Sequence, residues 1–246
     1  MIHSKLGLIT TGVLTLVIGL LVMFPARVAV HWFVPAEIAI AGIEGTAWTG
    51  RAKETSFGGL YLRDVRWSVN ATHLLTGKLS YRISATPVSG FFESDISLGF
   101  GGVITLSNLT AALPLDLFEN VSAIRGLQGS VSFDFERVEI VDNLAVVADG
   151  LLQVANLTVP IIARDSLGGF KAEFFTQNNG IAASIEDTDG VVDLAGSIQV
   201  KKDRSFEFIG QVVAKPDTPE SVRKQLHYLP PANERGQQEI RLEGIL

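Results

Sequence analysis

The residues that could do chemistry are few, and their spacing matches no familiar active site. Four histidines stand at positions 3, 31, 73 and 227, and none belongs to a His-x-His or His-Glu-x-x-His pair of the kind that binds zinc. No Gly-x-Ser-x-Gly sequence marks a hydrolase nucleophile. The chain has no cysteine, which excludes thiolate ligands and disulfides. The sequence therefore predicts no catalytic, metal or cofactor site, and we expect no enzymatic activity.

Two short stretches resemble ligand loops only in part. Gly77-Lys78 looks like the end of a phosphate loop, but Thr72 stands where the first glycine belongs and Leu79 where serine or threonine belongs. The second stretch is acidic and lacks the ligand order of a calcium loop. We interpret it as a solvated hairpin turn. Its members are Glu186, Asp187, Asp189 and Asp193.

The charge balance limits the possible partners. The formal net charge is -6 and the sequence pI is about 5.3. Binding nucleic acid requires a basic face that neutralises phosphates, so nucleic acid is excluded as a partner. The same balance argues against a polybasic grip on anionic lipid headgroups. Any contact with a membrane is therefore expected to come from an apolar segment.

Such a segment lies near the N-terminus. Residues 6–26 carry no charge and are flanked by Lys5 and Arg27. As a helix they would span roughly 32 Å, which matches a bilayer hydrocarbon core of about 30 Å. A cleaved signal peptide is the alternative, although its apolar core is normally about 7–15 residues long. We expect a cytoplasmic head and anchor in residues 1–27, and a translocated domain in residues 28–246 on the far side of the membrane.

Beyond residue 27 the dominant pattern is two-residue alternation, which is typical of β-strands with one apolar face. It is clearest around residues 79–85, 131–135, 192–200 and 206–214. The phase slips near Arg137 and between Leu62 and Val65, where bulges would restore the inward face. Glycines at about twenty-residue steps suggest repeated hairpins, with Asp189-Gly190 as one turn. These glycines are at positions 129, 150, 169, 190 and 210.

Helices are expected to be few and short. Residues 71–77 and 114–120 could each form a turn or two. Residues 217–229 should form the longest helix outside the anchor, capped by Asp217 or Thr218 and ended by Pro230-Pro231. A last strand is predicted over residues 239–245. Trp48 and Trp67 are expected to pack in the fold, whereas Trp32 suits a membrane interface.

The predicted fold is mainly β: a curved antiparallel sheet arranged as a sandwich, a half-barrel or barrel, or an open trough. A long sheet with an apolar face cannot leave that face in water, because each buried Val, Ile or Phe contributes roughly 1.5–3 kcal/mol. One shared interior should hold the alternating apolar residues. Those that best represent it are Ile83, Phe133, Leu194, Ile198, Phe206 and Phe208.

Three segments together carry a family resemblance. They are residues 42–50 (GIEGTAWTG), residues 60–67 (LYLRDVRW) with Leu74-Leu75 and Gly77, and the C-terminal stretch with Gly196, residues 206–210, residues 226–229 and Gly236. With the apolar N-terminal segment, they resemble the protein N family of the bacterial type II (general) secretion pathway. A more distant similarity is to AsmA-type envelope proteins.

The resemblance implies an inner-membrane protein with a periplasmic β-domain, accessory to the export of folded proteins across the outer membrane. It transfers no catalytic residue. Its partners would be other secretion components, reached through protein-protein contacts. The similarity to AsmA-type proteins, together with the apolar face, keeps a second hypothesis open: a holder or conduit for phospholipid or another hydrophobic ligand.

Overall fold

The computed structural model describes residues 2–36, 38–57, 60–70, 79–87, 89–99, 101–118 and 125–245. Within these ranges it gives no side-chain detail for residues 2–9, 33, 57 and 60. The short helix predicted at residues 71–77 lies outside the described residues.

Two helices form the N-terminal region. Helix α1 covers Ile2–Val22 and helix α2 covers Ala26–Phe33. Pro25 separates them because proline cannot donate a helical hydrogen bond and disfavours helical geometry in the residue before it. Among the helices described, none has the combination of length and apolar character that crossing a membrane requires. The anchor at residues 6–26 therefore stays a prediction.

The rest of the chain forms one antiparallel sheet of fourteen strands among the described residues. From β3 onward each strand pairs with the next along the chain, and β1 and β2 both pair with β3. The strands are β1 Ala39–Ala41, β2 Glu44–Gly45, β3 Thr49–Phe57, β4 Leu60–Val69, β5 Leu79–Pro87, β6 Phe91–Leu98, β7 Ile104–Pro114, β8 Gln128–Val141, β9 Leu144–Thr158, β10 Phe170–Gln177, β11 Gly180–Asp187, β12 Val192–Lys201, β13 Ser205–Ala214 and β14 Gln238–Ile245.

The sheet is open, with β1 and β2 at one edge and β14 at the other. This order confirms the mainly β antiparallel fold, and an open sheet of this kind agrees with a half-barrel or an open trough. A barrel would need the two edges to pair, and a sandwich would need a second sheet. Neither occurs among the described strands, where the order is a simple meander.

Both predicted phase slips are confirmed as register shifts. Between β4 and β5 the register changes from Arg63 to Arg66, and Asp64 adopts a φ of 48°. Between β8 and β9 it changes from Phe135 to Arg137. An extra residue in one strand lets the apolar positions on either side point to the same face.

The apolar face is continuous, but most of it is only half-buried. Cross-strand register places the six representative residues named above on this one face, as predicted. None of them is fully buried, however. Full burial is concentrated in three clusters, of which the largest centres on Ala111, Leu113, Leu115 and Val131. A single layer of sheet supplies too few contacts to bury the remainder.

Aromatic rings cover several glycines on this face. Gly150 lies between Phe135 and Phe174 across the strands, and the two rings are 5.5 Å apart between centroids. The ring of Phe208 similarly covers Gly210 and Gly196, leaving too little room for a side chain at Gly210. The twenty-residue glycine spacing therefore does not mark equivalent turns. Gly150 and Gly210 are inside strands, whereas Gly190 lies between β11 and β12 as predicted.

The C-terminal helix is shorter than expected. Helix α3 covers Glu220–Leu226, with seven residues, so the eight-residue α2 is longer and the prediction that this helix is the longest outside the anchor is wrong. The segment before α3 is held as a loop. The Thr218 hydroxyl donates to the Val191 carbonyl at 2.6 Å, and the Arg223 guanidinium donates to the carbonyls of Lys215, Pro216 and Thr218.

Two other predicted elements, a short helix after β7 and a last strand, are confirmed. A 3-10 helix covers Leu115–Phe118 within the predicted 114–120 stretch. The last strand, β14, begins one residue before its predicted start. Helix α3 inserts Val222 into a second buried cluster with Val159, Ala163 and Leu167, so the connections after β9 and β13 pack together.

Candidate functional site: the junction of the helices and the sheet

The tight turn between β2 and β3 is the centre of the first family-like motif. Its backbone closes through a hydrogen bond from the Thr46 N–H to the Thr49 carbonyl at 2.9 Å. Gly45 has a φ of 96°, and a Cβ there would lie 2.5 Å from the Thr49 oxygen. Only glycine fits this position without strain.

This turn contacts the segment that joins α1 to α2. The Ala47 N–H donates to the Phe24 carbonyl at 2.8 Å, and the Trp48 indole N–H donates to the Leu21 carbonyl at 2.7 Å. From α2, the Arg27 guanidinium donates to the Ile43 carbonyl at 3.1 Å. The bonds to Leu21 and Phe24 add donors at the C-terminal end of α1, where the Leu21 carbonyl also accepts from the Phe24 N–H at 3.2 Å. The motif therefore fixes the helices against the edge of the sheet.

A second tryptophan supports the turn from inside the sheet. The Trp67 indole donates to the Thr46 carbonyl at 3.2 Å, and its ring lies where a Cβ on Gly50 would come within 2.4 Å. Both Trp48 and Trp67 are half-buried. Their polar atoms bind backbone carbonyls, so both serve the packing of the junction. Trp32, by contrast, is 66% exposed.

A shallow depression of about 670 Å³ adjoins this junction on the polar face of the sheet. We call it the arginine depression. Its lining is Glu44, Gly45, Thr49, Gly50, Arg51, Arg66, Trp67, Ser68, Arg82 and Ser84. The arginines and hydroxyl residues come from three adjacent strands, and cross-strand register pairs Arg51 with Arg66, Arg66 with Ser84, and Ser68 with Arg82.

Each arginine of the depression has a carboxylate neighbour. Arg51 binds Glu44 at 2.6 Å, Arg66 binds Asp64 at 2.6 Å and Arg82 binds Asp95 at 3.1 Å. The hydrogen bond from Arg51 lowers the pKa of the Glu44 carboxyl, and the charges of Lys53 and Arg27 add to this effect. The hydrogen bond from Arg66 likewise lowers the pKa of Asp64. With lowered pKa values, the carboxyls of Glu44 and Asp64 are ionised at neutral pH.

The acidic stretch singled out in the sequence stabilises a hairpin connection. Asp187 ends β11, accepts a hydrogen bond from the Leu194 N–H at 2.9 Å and binds the Lys215 ammonium at 2.7 Å. Glu186 pairs with Lys171 on the neighbouring strand. In the described ranges, no group of three or more His, Asp or Glu side chains is placed to hold a metal ion. The stretch acts as the predicted turn.

The histidines are dispersed. His31 lies on α2, and His227 follows α3 with its Nδ1 atom 2.9 Å from the Arg223 carbonyl. The side chain of His3 and all of His73 lie outside what the structure describes.

The structure also brings together three residues that sequence reasoning missed, namely Arg51, Arg66 and Arg82. The sequence indicated them only through the uneven distribution of charged residues along the chain, which the net charge does not show.

Comparison with known proteins places the chain in a family. The sequence model for "Type II secretion system (T2SS), protein N" matches residues 36–241, which is most of the chain. The chain belongs to the type II secretion system protein N family. The predicted resemblance is thereby confirmed, and the match includes both motifs that build the junction. No solved structure matches this chain.

Two curated relatives agree with this assignment along nearly their whole length. A type II secretion system protein N from Vibrio cholerae is 25% identical over 249 residues, covering 94% of each chain. Another, from Pectobacterium carotovorum, is 23% identical over 261 residues, covering 98% of each. The similarity therefore includes the N-terminal helices as well as the sheet.

Proposed function

We propose that this protein is an accessory component of the type II secretion apparatus that acts through protein-protein contacts. Its N-terminal helix would tether it to the inner membrane, and its sheet would lie in the periplasm. Membership of the protein N family is the observation that carries this proposal. The motifs that the family resemblance rests on build a junction and a sheet, and they supply no catalytic group.

The exposure of α1 supports the tether. Nine large apolar residues between positions 13 and 23 are 44–75% exposed in the isolated chain. Contact with an apolar surrounding would remove this helix surface from water, which is favourable. The junction bonds to Leu21 and Phe24 would then hold the sheet close to the membrane, where a tether raises the local concentration of partners and lets weak contacts suffice.

Photo-crosslinking in cells tests the contact function. The best positions are exposed residues on the polar face of β12 and β13, namely Ala195, Ser197 and Gln211. Gln199 and Lys201 lie on the same face of β12 but are half-buried, so they suit a probe less well. Capture of inner- or outer-membrane secretion components at these sites is the expected result. Matched probes at Ile198 and Phe208 sample the apolar face of the same strands.

The open apolar face favours one second candidate, a holder for phospholipid or another hydrophobic ligand. The half-buried apolar side chains extend across neighbouring strands without a second sheet among the described residues. If only the probes at Ile198 and Phe208 give adducts, and these are lipids, the contact function is wrong and this candidate replaces it. Native mass spectrometry of the detergent-extracted protein would show the retained lipid directly.

The topology has its own test. Alkaline phosphatase fused after the last residue should be active, because that enzyme folds only in the periplasm. An inactive fusion would reverse the proposed orientation, and an N-terminus that begins near residue 26 or 42 in Edman sequencing would show cleavage instead of anchoring.

A further inference from the structure

The arginine depression has a charge arrangement that the fold alone does not favour. Arg51 and Arg66 are directly opposite each other on adjacent strands. Directly opposed residues on one face of an antiparallel pair have Cβ atoms about 4.5–5.5 Å apart, and like charges there are destabilising. Arg82 follows on the next strand, opposite Ser68 and two residues along from the position opposite Arg66.

Neighbouring carboxylates only partly offset this repulsion. The charged groups that act on the depression are the cations Arg27, Arg51, Lys53, Arg66 and Arg82 and the carboxylates Glu44, Asp64, Glu93 and Asp95. The cations are therefore in excess here, although the whole chain has a net charge of -6.

The same asymmetry extends along the chain. Residues 27–87 contain seven Lys and Arg against four Asp and Glu, whereas residues 88–246 contain twelve against twenty-two. The basic part is the part that adjoins the helices. Although the net charge of the chain is negative, one end of the sheet is therefore positively charged, and it would attract an anion.

The donors in the depression suit a phosphate group. Guanidinium groups present several N–H donors in a planar fork that matches phosphate oxygens, and hydroxyls add further donors. Among the described residues, Arg66 donates to its carboxylate partner through Nη2 and Arg82 through Nε. The side chains of Arg51, Arg66 and Arg82 are 54–64% exposed, so their remaining donors can reach a ligand. Hydroxyls come from Thr49, Ser68 and Ser84.

The position of the depression indicates a source for the phosphate. Gly45 lines it, and the turn that begins at Gly45 binds the carbonyls of Leu21 and Phe24 at the end of α1. If α1 is embedded in a bilayer, as proposed above, the depression lies near the level of the lipid headgroups. Free phosphate is the other source with the same chemistry.

We propose that the arginine depression binds a phosphate group, supplied either by a phospholipid headgroup or as free phosphate. Binding of the phosphate itself does not depend on the proposed secretion function. The assignment to a lipid headgroup rests on the membrane tether.

Calorimetric titration of the full-length protein in a neutral detergent tests the proposal at low ionic strength, because salt screens exposed charges. Inorganic phosphate represents the free ligand, and glycerophosphoglycerol represents a lipid headgroup without acyl chains. We expect saturable binding of at least one of them. Arg66→Gln should weaken it about tenfold, since a charge-assisted hydrogen bond is lost. Arg66→Lys should weaken it less, because the charge stays and the fork is lost.

Arg137→Gln is the matched control. Arg137 lies on the same polar face, pairs with Glu139 and is 54% exposed, as Arg51 is, but belongs to β8 and not to the depression. Its replacement should leave the dissociation constant within about twofold of that of the unaltered protein. Circular dichroism should show that each variant is folded. Binding of glycerophosphoglycerol supports the headgroup source, and binding of inorganic phosphate alone supports free phosphate. No binding, or equal losses in Arg66→Gln and Arg137→Gln, would overturn the proposal.

Discussion

The indole N–H of Trp48 donates to the carbonyl oxygen of Leu21 at 2.7 Å. This bond joins the first strands of the sheet to the end of the apolar helix, across 27 residues of chain. Pro25 lacks the N–H that would continue the α-helical bonding to Leu21. The Leu21 carbonyl accepts instead from the Phe24 N–H at 3.2 Å and from the Trp48 indole. A tryptophan supplies both the donor and the flat apolar surface that a junction beside an apolar helix requires.

Removing this donor should weaken the junction. Trp48→Phe keeps a ring but loses the N–H, and we expect a loss of about 1 kcal/mol in the free energy of unfolding, the usual net value of one hydrogen bond. Hydrogen exchange at the Ala47 amide, which donates to Phe24, should also become faster. Trp32→Phe is the control. Trp32 is 66% exposed, and phenylalanine keeps a ring for the contact with Phe24, whose centroid is 5.8 Å away, so neither quantity should change. Equal effects in the two variants would contradict the role assigned to Trp48.

Gly150 should not tolerate a side chain. A Cβ at this position would lie 2.5 Å from the Asp134 oxygen and 2.7 Å from the Phe135 ring. Gly150→Ala must displace backbone or ring, and we expect a loss of about 2–3 kcal/mol, as for other overpacked sites. Chemical denaturation measures the change. Gly99→Ala, where a Cβ would meet its nearest atom only at 3.5 Å, should cost less than about 1 kcal/mol.

Phe208 should contribute less than a fully buried phenylalanine. Its ring covers Gly210 on the apolar face, yet the residue is half-buried. Truncation of a buried phenylalanine costs about 3–5 kcal/mol, so for Phe208→Ala we expect about 2 kcal/mol. The matched control is Gln211→Ala, which is exposed on the opposite face of β13 and should change stability by less than about 0.5 kcal/mol. A loss in the fully buried range would indicate that something covers this face.

The Asp187–Lys215 pair should make stability depend on pH in the acidic range. Burial raises the pKa of the Asp187 carboxyl, but the hydrogen bonds from Lys215 and from the Leu194 N–H outweigh it and hold the pKa below its ordinary value. A carboxyl with a lowered pKa in the folded state stabilises the fold above its unfolded pKa, near 4, and this contribution is lost as the pH falls through the folded value.

The variant Asp187→Asn keeps an oxygen for the Leu194 N–H and removes the charge. We expect it to lose about 2 kcal/mol at pH 7, since a hydrogen bond to a charged group is removed. The difference from the unaltered protein should shrink as the pH falls below about 4. Thermal unfolding at several pH values measures both effects. Asp189→Asn in the adjacent exposed turn is the control, and a pH-independent loss in Asp187→Asn would contradict the ion pair as its cause.

Local pattern in the sequence determined the strands and their irregularities. Alternation of apolar and polar residues predicted the strands around Ile83, Phe133 and Leu194. Interruptions of this alternation near Asp64 and Arg137 predicted the register shifts. Both could be predicted because the period and phase of the pattern are properties of consecutive residues. The soft motifs around Trp48 and Trp67 were enough to indicate the family. The length of α3 could not be predicted, because the Thr218 hydroxyl binds the Val191 carbonyl, which only the folded chain brings near it.

Only the tertiary structure showed how the strands are arranged around their apolar face. The alternating pattern is the same for a sandwich, a barrel and an open sheet, because all three have one apolar face on each strand. Paired edges distinguish a barrel, and a second sheet distinguishes a sandwich. The arginine depression was hidden for a related reason. Arg51, Arg66 and Arg82 are about fifteen residues apart in the chain and meet because antiparallel register sets them side by side. Such proximity depends on the pairing of distant segments, which neither composition nor net charge records.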